Sequence, residues 1–394
     1  MKRLSLCLLA AAMLLTACTP ADPTPAPDSS VAADLPSFRL EASDLARCQA
    51  IVDSENAWLA EIQLSNGAMP MRPVVNGNGT VKVTPYFADF AALSLLNQAD
   101  LYADHVKKYM DWHFSHLNTA QTDHNGVDGT IYDYNITVRD GVVEKEEIHI
   151  ADGKNSYDST DSYAATFLMV LQKYAEKTGD TAYILEHKAD IQRVVSALFA
   201  TMVDGLTLAK PDYEVKYLMD NCEVYDGMLA GEKLYSQILV PADKSLAATR
   251  DKLKDGAREV ADRIESEMWS DGFYHPALDR DSGVCWDFDW SEYYPSATAQ
   301  TFPIIHGLIA RDSERAHALY DAYCAAYSWE TYDIPDKFIW GSNVYTAVLM
   351  GDVDRANTYL TRYEKVMKKH AYPLYNADVA KVCMAAYLMI QIGE

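Results

Sequence analysis

Two acidic pairs, Asp158-x-x-Asp161 and Asp220-x-x-Glu223, sit where helical periodicity begins, and Asp289, Glu292 and Asp378 occupy similar places further along. Paired carboxyls can divide acid and base work: a protonated one assists a leaving oxygen while an ionised one activates water or attacks carbon. Cleavage of a glycosidic bond needs that division. A helix N-terminus stabilises negative charge, so these positions favour the ionised member, and the protonated one requires an apolar or like-charged setting. Asp161 and Asp220 are the expected catalytic residues, with Asp158 and Glu223 positioning them or sharing the charge. Asp220 is the provisional base, and either Asp161 or Glu223 the acid. The same acids can also be plain helix caps, since Asp220-x-x-Glu223 has capping-box spacing and Asp158-x-x-Asp161 nearly so. Their company favours a site: Tyr157, Asn221, Tyr225, Trp286, Trp290, Glu292 and Tyr294 stand beside them, and these are types that hydrogen-bond to sugars or stack on them.

Other chemistries have less behind them. With 34 basic against 57 acidic side chains the formal charge is −23, which argues against nucleic acid, anionic membrane surfaces and acidic polysaccharides as partners. A neutral or weakly charged carbohydrate fits better. No metal or other cofactor is expected: His113 and His116 lack a third ligand at metal spacing, and the stretch Asp123-His124-Asn125-Gly126-Val127-Asp128-Gly129 lacks the closing Glu of a calcium loop and reads as a turn. Beyond Cys7 and Cys18, the five cysteines Cys48, Cys222, Cys285, Cys324 and Cys383 are odd in number and scattered, so most read as small buried apolar residues.

The N-terminal residues 1–17 read as a targeting segment. Lys2 and Arg3 precede an apolar run from Leu4 to Leu15, which at roughly a dozen residues is too short to span a bilayer. It ends Leu15-Thr16-Ala17-Cys18, which resembles a bacterial lipobox, so Cys18 is the expected lipidation site; an ordinary signal peptide cut after Ala17 is the alternative. Either form is exported, and lipidation would hold it in the bacterial cell envelope. Residues 18–40 then form a Pro-rich spacer that has too few apolar residues for a core.

From residue 41 to 394 a periodicity of 3.6 dominates, interrupted at Gly, Pro, Asn and Asp clusters. Twelve helices are expected, over 41–64, 86–97, 99–118, 158–178, 180–203, 220–237, 242–268, 295–310, 312–326, 340–350, 352–369 and 376–392. Two kinds alternate. Some are small and apolar all round, as in Ser162-Tyr163-Ala164-Ala165-Thr166-Phe167-Leu168, and must be buried; others are amphipathic, as in Asp251-Lys252-Leu253-Lys254-Asp255-Gly256-Ala257, and belong on a surface. Alternation of this kind builds an inner ring of helices inside an outer ring. Inner-to-outer links such as Gly179-Asp180 and Gly351-Asp352 are tight, whereas outer-to-inner links are long, so every long loop falls on the rim where inner helices begin. The loops 129–150, 206–218 and 270–288 have the alternation of short hairpins.

Gln63-Leu64-x-Asn66-Gly67-Ala68, Pro85-Tyr86-Phe87, Asp158-Ser159-Thr160-Asp161-Ser162-Tyr163-Ala164-Ala165 and Tyr294-Pro295-x-Ala297-x-Ala299-Gln300, together with the alternating helices, resemble the six-hairpin glycosidases. The resemblance implies an all-α (α/α)6 toroid and a surface-anchored glycoside hydrolase that acts as a monomer on an oligosaccharide. That toroid also serves polysaccharide lyases and sugar epimerases. A saccharide-binding lipoprotein without catalysis is the main alternative. A lyase would need basic residues for a uronate, for which Lys154, Arg280 and Lys337 are the rim candidates, and an epimerase would want paired histidines that the sequence does not place. For the N-terminus, Cys18→Ser is expected to free the chain from membranes and abolish incorporation of labelled fatty acid; unchanged membrane fractionation, with no label in either form, rejects the lipobox.

Overall fold

The computed structural model describes residues 38–367, 369–370 and 374–393. The targeting segment, Cys18 and the spacer as far as residue 37 lie outside the described residues. Along the chain the helices are α1 (Ala42–Glu61), α2 (Pro85–Leu95), α3 (Ala99–Ser115), α4 (Thr160–Thr178), α5 (Thr181–Glu186), α6 (Lys188–Ala200) and α7 (Leu218–Leu234). They continue as α8 (Val240–Ala242), α9 (Ala247–Arg263), α10 (Phe302–Ile305), α11 (Glu314–Ala326), α12 (Gly341–Leu349), α13 (Val353–Arg362) and α14 (Asn376–Ile392).

Side-chain size decides which helices go inside. α2 carries Ala88, Ala91 and Ala92, α4 carries Ala164 and Ala165, and α14 carries Ala380, Ala385 and Ala386, all buried. Small residues let helix axes approach closely, and a Cβ on Gly227 of α7 would lie 2.6 Å from the Cα of Ala165 on α4. α2, α4, α7, α10, α12 and α14 pack each on the next, and α14 returns onto α2, so the inner ring closes. Outside it, α1 lies on α14, α3 on α2 and α4, α6 on α4, α9 on α7 and α13 on α12. These outer helices bury one stripe, for example Ile191, Val194, Val195 and Leu198 of α6. The architecture is an (α/α)6 toroid.

The tight links have a shared construction. Gly179 ends α4 in the left-handed region (φ 68), and Asp180 then caps α5 by accepting the Tyr183 amide at 3.1 Å. At the next-to-last hairpin Gly351 has φ 73 and Asp352 accepts the Arg355 amide at 3.1 Å. Gly supplies the reversal and Asp the new start, which is why the pair recurs.

Strands occur in the outer-to-inner loops. β1 (Gly79–Val83), β2 (Tyr134–Arg139) and β3 (Val142–Ile148) form an antiparallel sheet in the order β1-β2-β3. Short pairs follow: β4 (Ile150–Ala151) with β5 (Lys154–Asn155), β6 (Met202–Val203) with β7 (Leu206–Thr207), and, further along, β9 (Trp269–Ser270) with β10 (Phe273–Tyr274). One ribbon is not local: β8 (Val215–Tyr217) pairs with β11 (Ala277–Asp279), sewing two rim loops together.

Two expected helices are broken. The segment 180–203 divides into α5 and α6 at His187, whose ring stacks on Phe114 at 4.4 Å. The segment 295–310 departs further: a π-turn spans Tyr293–Ala297 and only the four-residue α10 is regular. Pro295 and Pro303 bring no amide donors there, and Gly307 turns the chain at φ 68. Buried Gln300 takes over the anchoring, accepting the Tyr274 amide at 2.9 Å and donating to the carbonyls of Tyr274 at 2.8 Å and Ser296 at 3.1 Å.

The five cysteines, most of them expected to be buried apolar residues, are all free, with Cys48, Cys222 and Cys383 buried in the core and Cys285 and Cys324 half-buried. No helix among the described residues is long and apolar enough to cross a membrane. Because the ring depends on close approach of α4 and α7, Gly227→Ala should destabilise the fold by about 1–3 kcal/mol through overpacking, read as a lower denaturant midpoint with unchanged slope.

Candidate active site

Where the inner helices begin, the barrel opens into a cavity of about 340 Å³, and every inner helix contributes to its wall. Tyr86 and Phe87 come from α2, Ser162 from α4, Asp220 and Glu223 from α7, Phe302 from α10, Ser342 from α12, and Asp378 and Lys381 from α14. Loops add Asp158, Tyr294, Asp336, Phe338 and Trp340.

Asp220 and Glu223 are not helix caps, for no side chain caps α7. Glu223, 1% exposed, instead accepts a hydrogen bond from the Tyr86 hydroxyl at 2.5 Å. Burial, reinforced by the nearby charges of Asp161, Glu223 and Asp158, pushes the Asp220 carboxyl well above the usual carboxylate range. That shift favours the protonated form, which suits a proton donor better than the provisional role of base. Asp378 is on the inner helix opposite α7, three places round the ring by either route. Its Oδ1 accepts the Gly341 amide at 3.1 Å, and its buried Oδ2 has no protein partner. Burial raises this carboxyl to about 6, against the opposing pull of the Gly341 hydrogen bond and the Lys381 charge. Lys381, pulled below its ordinary pKa by burial, extends over the Phe90 ring at 4.1 Å and feels the charges of both Glu223 and Asp378.

Aromatic side chains close the mouth. Tyr294 and Trp340 face each other with ring centroids 5.6 Å apart, and the Trp340 indole donates to Asp336 Oδ2 at 3.1 Å. Trp340 is held at φ 52, a left-handed conformation that costs a bulky residue about 1–3 kcal/mol. Such strain persists only where the surroundings enforce it, here immediately before α12.

No family model matches the chain, and no curated protein matches it. Solved structures do. A glycosidase in complex with glucose is similar at 13% identity over 90% of this chain and 100% of its own, with a TM-score of 0.58. An alpha-amylase from Clostridium perfringens is similar at 11% identity, over 86% of this chain and 97% of its own, with a TM-score of 0.56. A D-mannose isomerase follows at 11% identity, over 89% and 99% of the two chains, with a TM-score of 0.51. The fold is the six-hairpin toroid of these enzymes.

Within this toroid the residues singled out from sequence divide into two groups. Asp158, Asp220, Glu223 and Tyr294 line the cavity. Asp161 does not: it is fully buried behind the wall, accepting from the hydroxyls of Ser159 and Thr207, each at 2.6 Å, and from the Ser162 amide at 2.8 Å. Asn221 is buried too, clasping Thr207 through the Thr207 amide at 2.8 Å and carbonyl at 3.1 Å. Tyr157 is buried in a stack with Tyr132 and His124, and Tyr225 is buried in the core. Trp286 packs edgewise on Tyr217, Trp290 on Phe288, and Glu292 receives the Ser296 hydroxyl, all away from the cavity wall. His113 stacks on Phe167 at 3.5 Å, and burial keeps it neutral.

Sequence reasoning left Asp336, Trp340, Lys381 and Tyr86 out of the site and gave Asp378 no role. Asp378 could have been found, because it obeys the same rule of acids at inner-helix starts. Asp336 has no such signal; it lies in a loop whose path depends on distant contacts.

The buried position of Asp161 yields a stability test. Asp161→Ala removes the acceptor of three hydrogen bonds, leaving the Ser162 amide and the Thr207 hydroxyl only their longer bonds to Ser159 and Asn221. It should cost about 1–3 kcal/mol, whereas Asp158→Ala, at an exposed residue, should leave the denaturation midpoint within about 0.5 kcal/mol of the parent.

Proposed function

We propose that the protein is a glycoside hydrolase working by single displacement, with Asp220 as general acid and Asp378 as general base. The observation that carries this reading is a pair of carboxyls on opposite inner helices of one cavity, one of them pushed well above the usual carboxylate range and the other raised to about 6. Asp220 gives its proton to the leaving oxygen. Asp378, through the unpartnered Oδ2, takes a proton from water attacking the opposite face of the sugar, so the anomeric configuration inverts. Gly341 and Lys381 fix the base and favour its charged form. Glu223 and Asp158 support the acid by repelling a negative charge on Asp220.

The competing chemistries find less support here. Lys154 pairs with Asp212 at 3.6 Å and Arg280 with Glu214 at 2.6 Å, and neither they nor Lys337 line the cavity, so a uronate would meet only Lys381. No histidine is among the cavity-lining residues, which removes the ring nitrogens expected of an epimerase. Exported and lipid-anchored through Cys18, as the leader suggests, such a hydrolase would meet its glycan at the cell envelope.

Activity should rise as pH passes about 6, where Asp378 loses its proton, and fall again at higher pH as Asp220 ionises, giving a bell-shaped profile. Asp220→Asn and Asp378→Asn should each lower turnover on unactivated glycans by roughly a hundredfold or more. A nitrophenyl leaving group, which needs no proton, should restore Asp220→Asn but not Asp378→Asn. Folded Asn variants that cleave glycans as the parent does would refute the assignment. Binding of glycans with no cleavage by the parent chain across a broad panel would favour the non-catalytic saccharide-binding alternative.

A further inference from the structure

We infer that the sugar this cavity selects carries a protonated amine. The inference rests on the glycoside hydrolase reading for its chemistry, although its test is a binding measurement. Once Asp220 and Asp378 are assigned to catalysis, Asp158, Glu223 and Asp336 remain as cavity-lining carboxylates, and among the described residues Lys381 is the single basic residue on the wall. Lys381 is already engaged with the charges of Glu223 and Asp378. The remaining negative charge stands in a concave site with low-dielectric walls, where field lines concentrate.

A neutral sugar would replace water on these carboxylates with hydroxyl donors but would leave their negative charge uncompensated. An ammonium group on the sugar returns the charge. Asp336 is built to receive one. The Phe338 amide donates to its Oδ1 at 3.0 Å, as does the Lys337 amide, while the Trp340 indole donates to its Oδ2 at 3.1 Å. These donors hold the carboxylate beside the aromatic pair Trp340 and Tyr294, so an ammonium at the mouth meets both an anion and ring faces that attract cations. Two acceptors inside the same cavity point to a polar ligand independently of the charge count: the hydroxyl of Ser162, a residue 1% exposed, and Asp378 Oδ2, on a residue 8% exposed, have no protein partner.

The test uses the Asp220→Asn chain, so that ligands are bound without being cleaved. Calorimetry compares oligosaccharides of glucosamine, their N-acetylated forms and the corresponding glucose oligomers, in α and β linkages, at low and high salt. The amine form is expected to bind at least tenfold more tightly than its N-acetylated counterpart in the preferred linkage. That advantage should shrink as salt screens the cavity and should fall several-fold in an added Asp336→Asn substitution, with folding checked by circular dichroism. Equal or tighter binding of the neutral forms, an advantage indifferent to salt and to Asp336→Asn, or no binding by any amine form overturns the inference. Failure of the parent chain to cleave any glycan would end the hydrolase reading separately and leave the order of binding affinities to be read on its own.

Discussion

The inner helices begin on one rim, and where an inner helix such as α4 or α12 passes to its outer partner the link is too short to do anything but reverse. Gly179-Asp180 and Gly351-Asp352 show how this is done, with a left-handed glycine that ends one helix and an aspartate that caps the next. Parallel inner helices place six N-termini on one rim, and their unpaired amides and partial positive charges converge on one cavity. Long loops are confined to that rim, and the far rim is left with turns.

This convergence would by itself favour ionised acids, yet Asp161, Asp220 and Asp378 are all shifted upward, Asp220 the furthest. Crowding and desolvation make the difference. Asp161 takes three hydrogen bonds behind the wall and anchors the loop that carries Thr207. Asp220, crowded by Asp161, Glu223 and Asp158, is pushed well above the usual carboxylate range despite its place in the first turn of α7. Burial raises both Asp161 and Asp378 to about 6, against the three hydrogen bonds to Asp161 and against the Gly341 hydrogen bond and the Lys381 charge at Asp378. Neighbouring groups therefore give chemically identical side chains different shifts and different partners.

The surrounding architecture keeps that sorting rigid. Lys82 pairs with buried Asp133 at 2.8 Å, Asp133 accepts from the Tyr163 hydroxyl at 2.8 Å, and that hydroxyl accepts the Asp158 amide at 3.1 Å. The strand β1 that carries Lys82 is thereby coupled to the start of α4. On the other side Gln300 binds the β10 strand to the irregular inner segment, where a continuous helix would have supplied those contacts itself.

The sequence alone determined the two classes of helix, their alternation, the tight links and the rim on which acids collect, because burial pattern and turn chemistry are local properties of the chain. It could not separate capping from chemistry at Asp161, Asp220 and Glu223, since both uses share one spacing. Tertiary structure separated them: α7 has no side-chain cap, and Tyr86 from another helix takes Glu223. It also turned Trp286 and Trp290 away from the cavity and brought in Asp336 and Trp340, because the paths of long loops are set by contacts such as β8 with β11 that join residues far apart in sequence. Protonation was likewise beyond the sequence, for a carboxyl's pKa follows from the charges and water that surround it, and those are known only once the ring has closed.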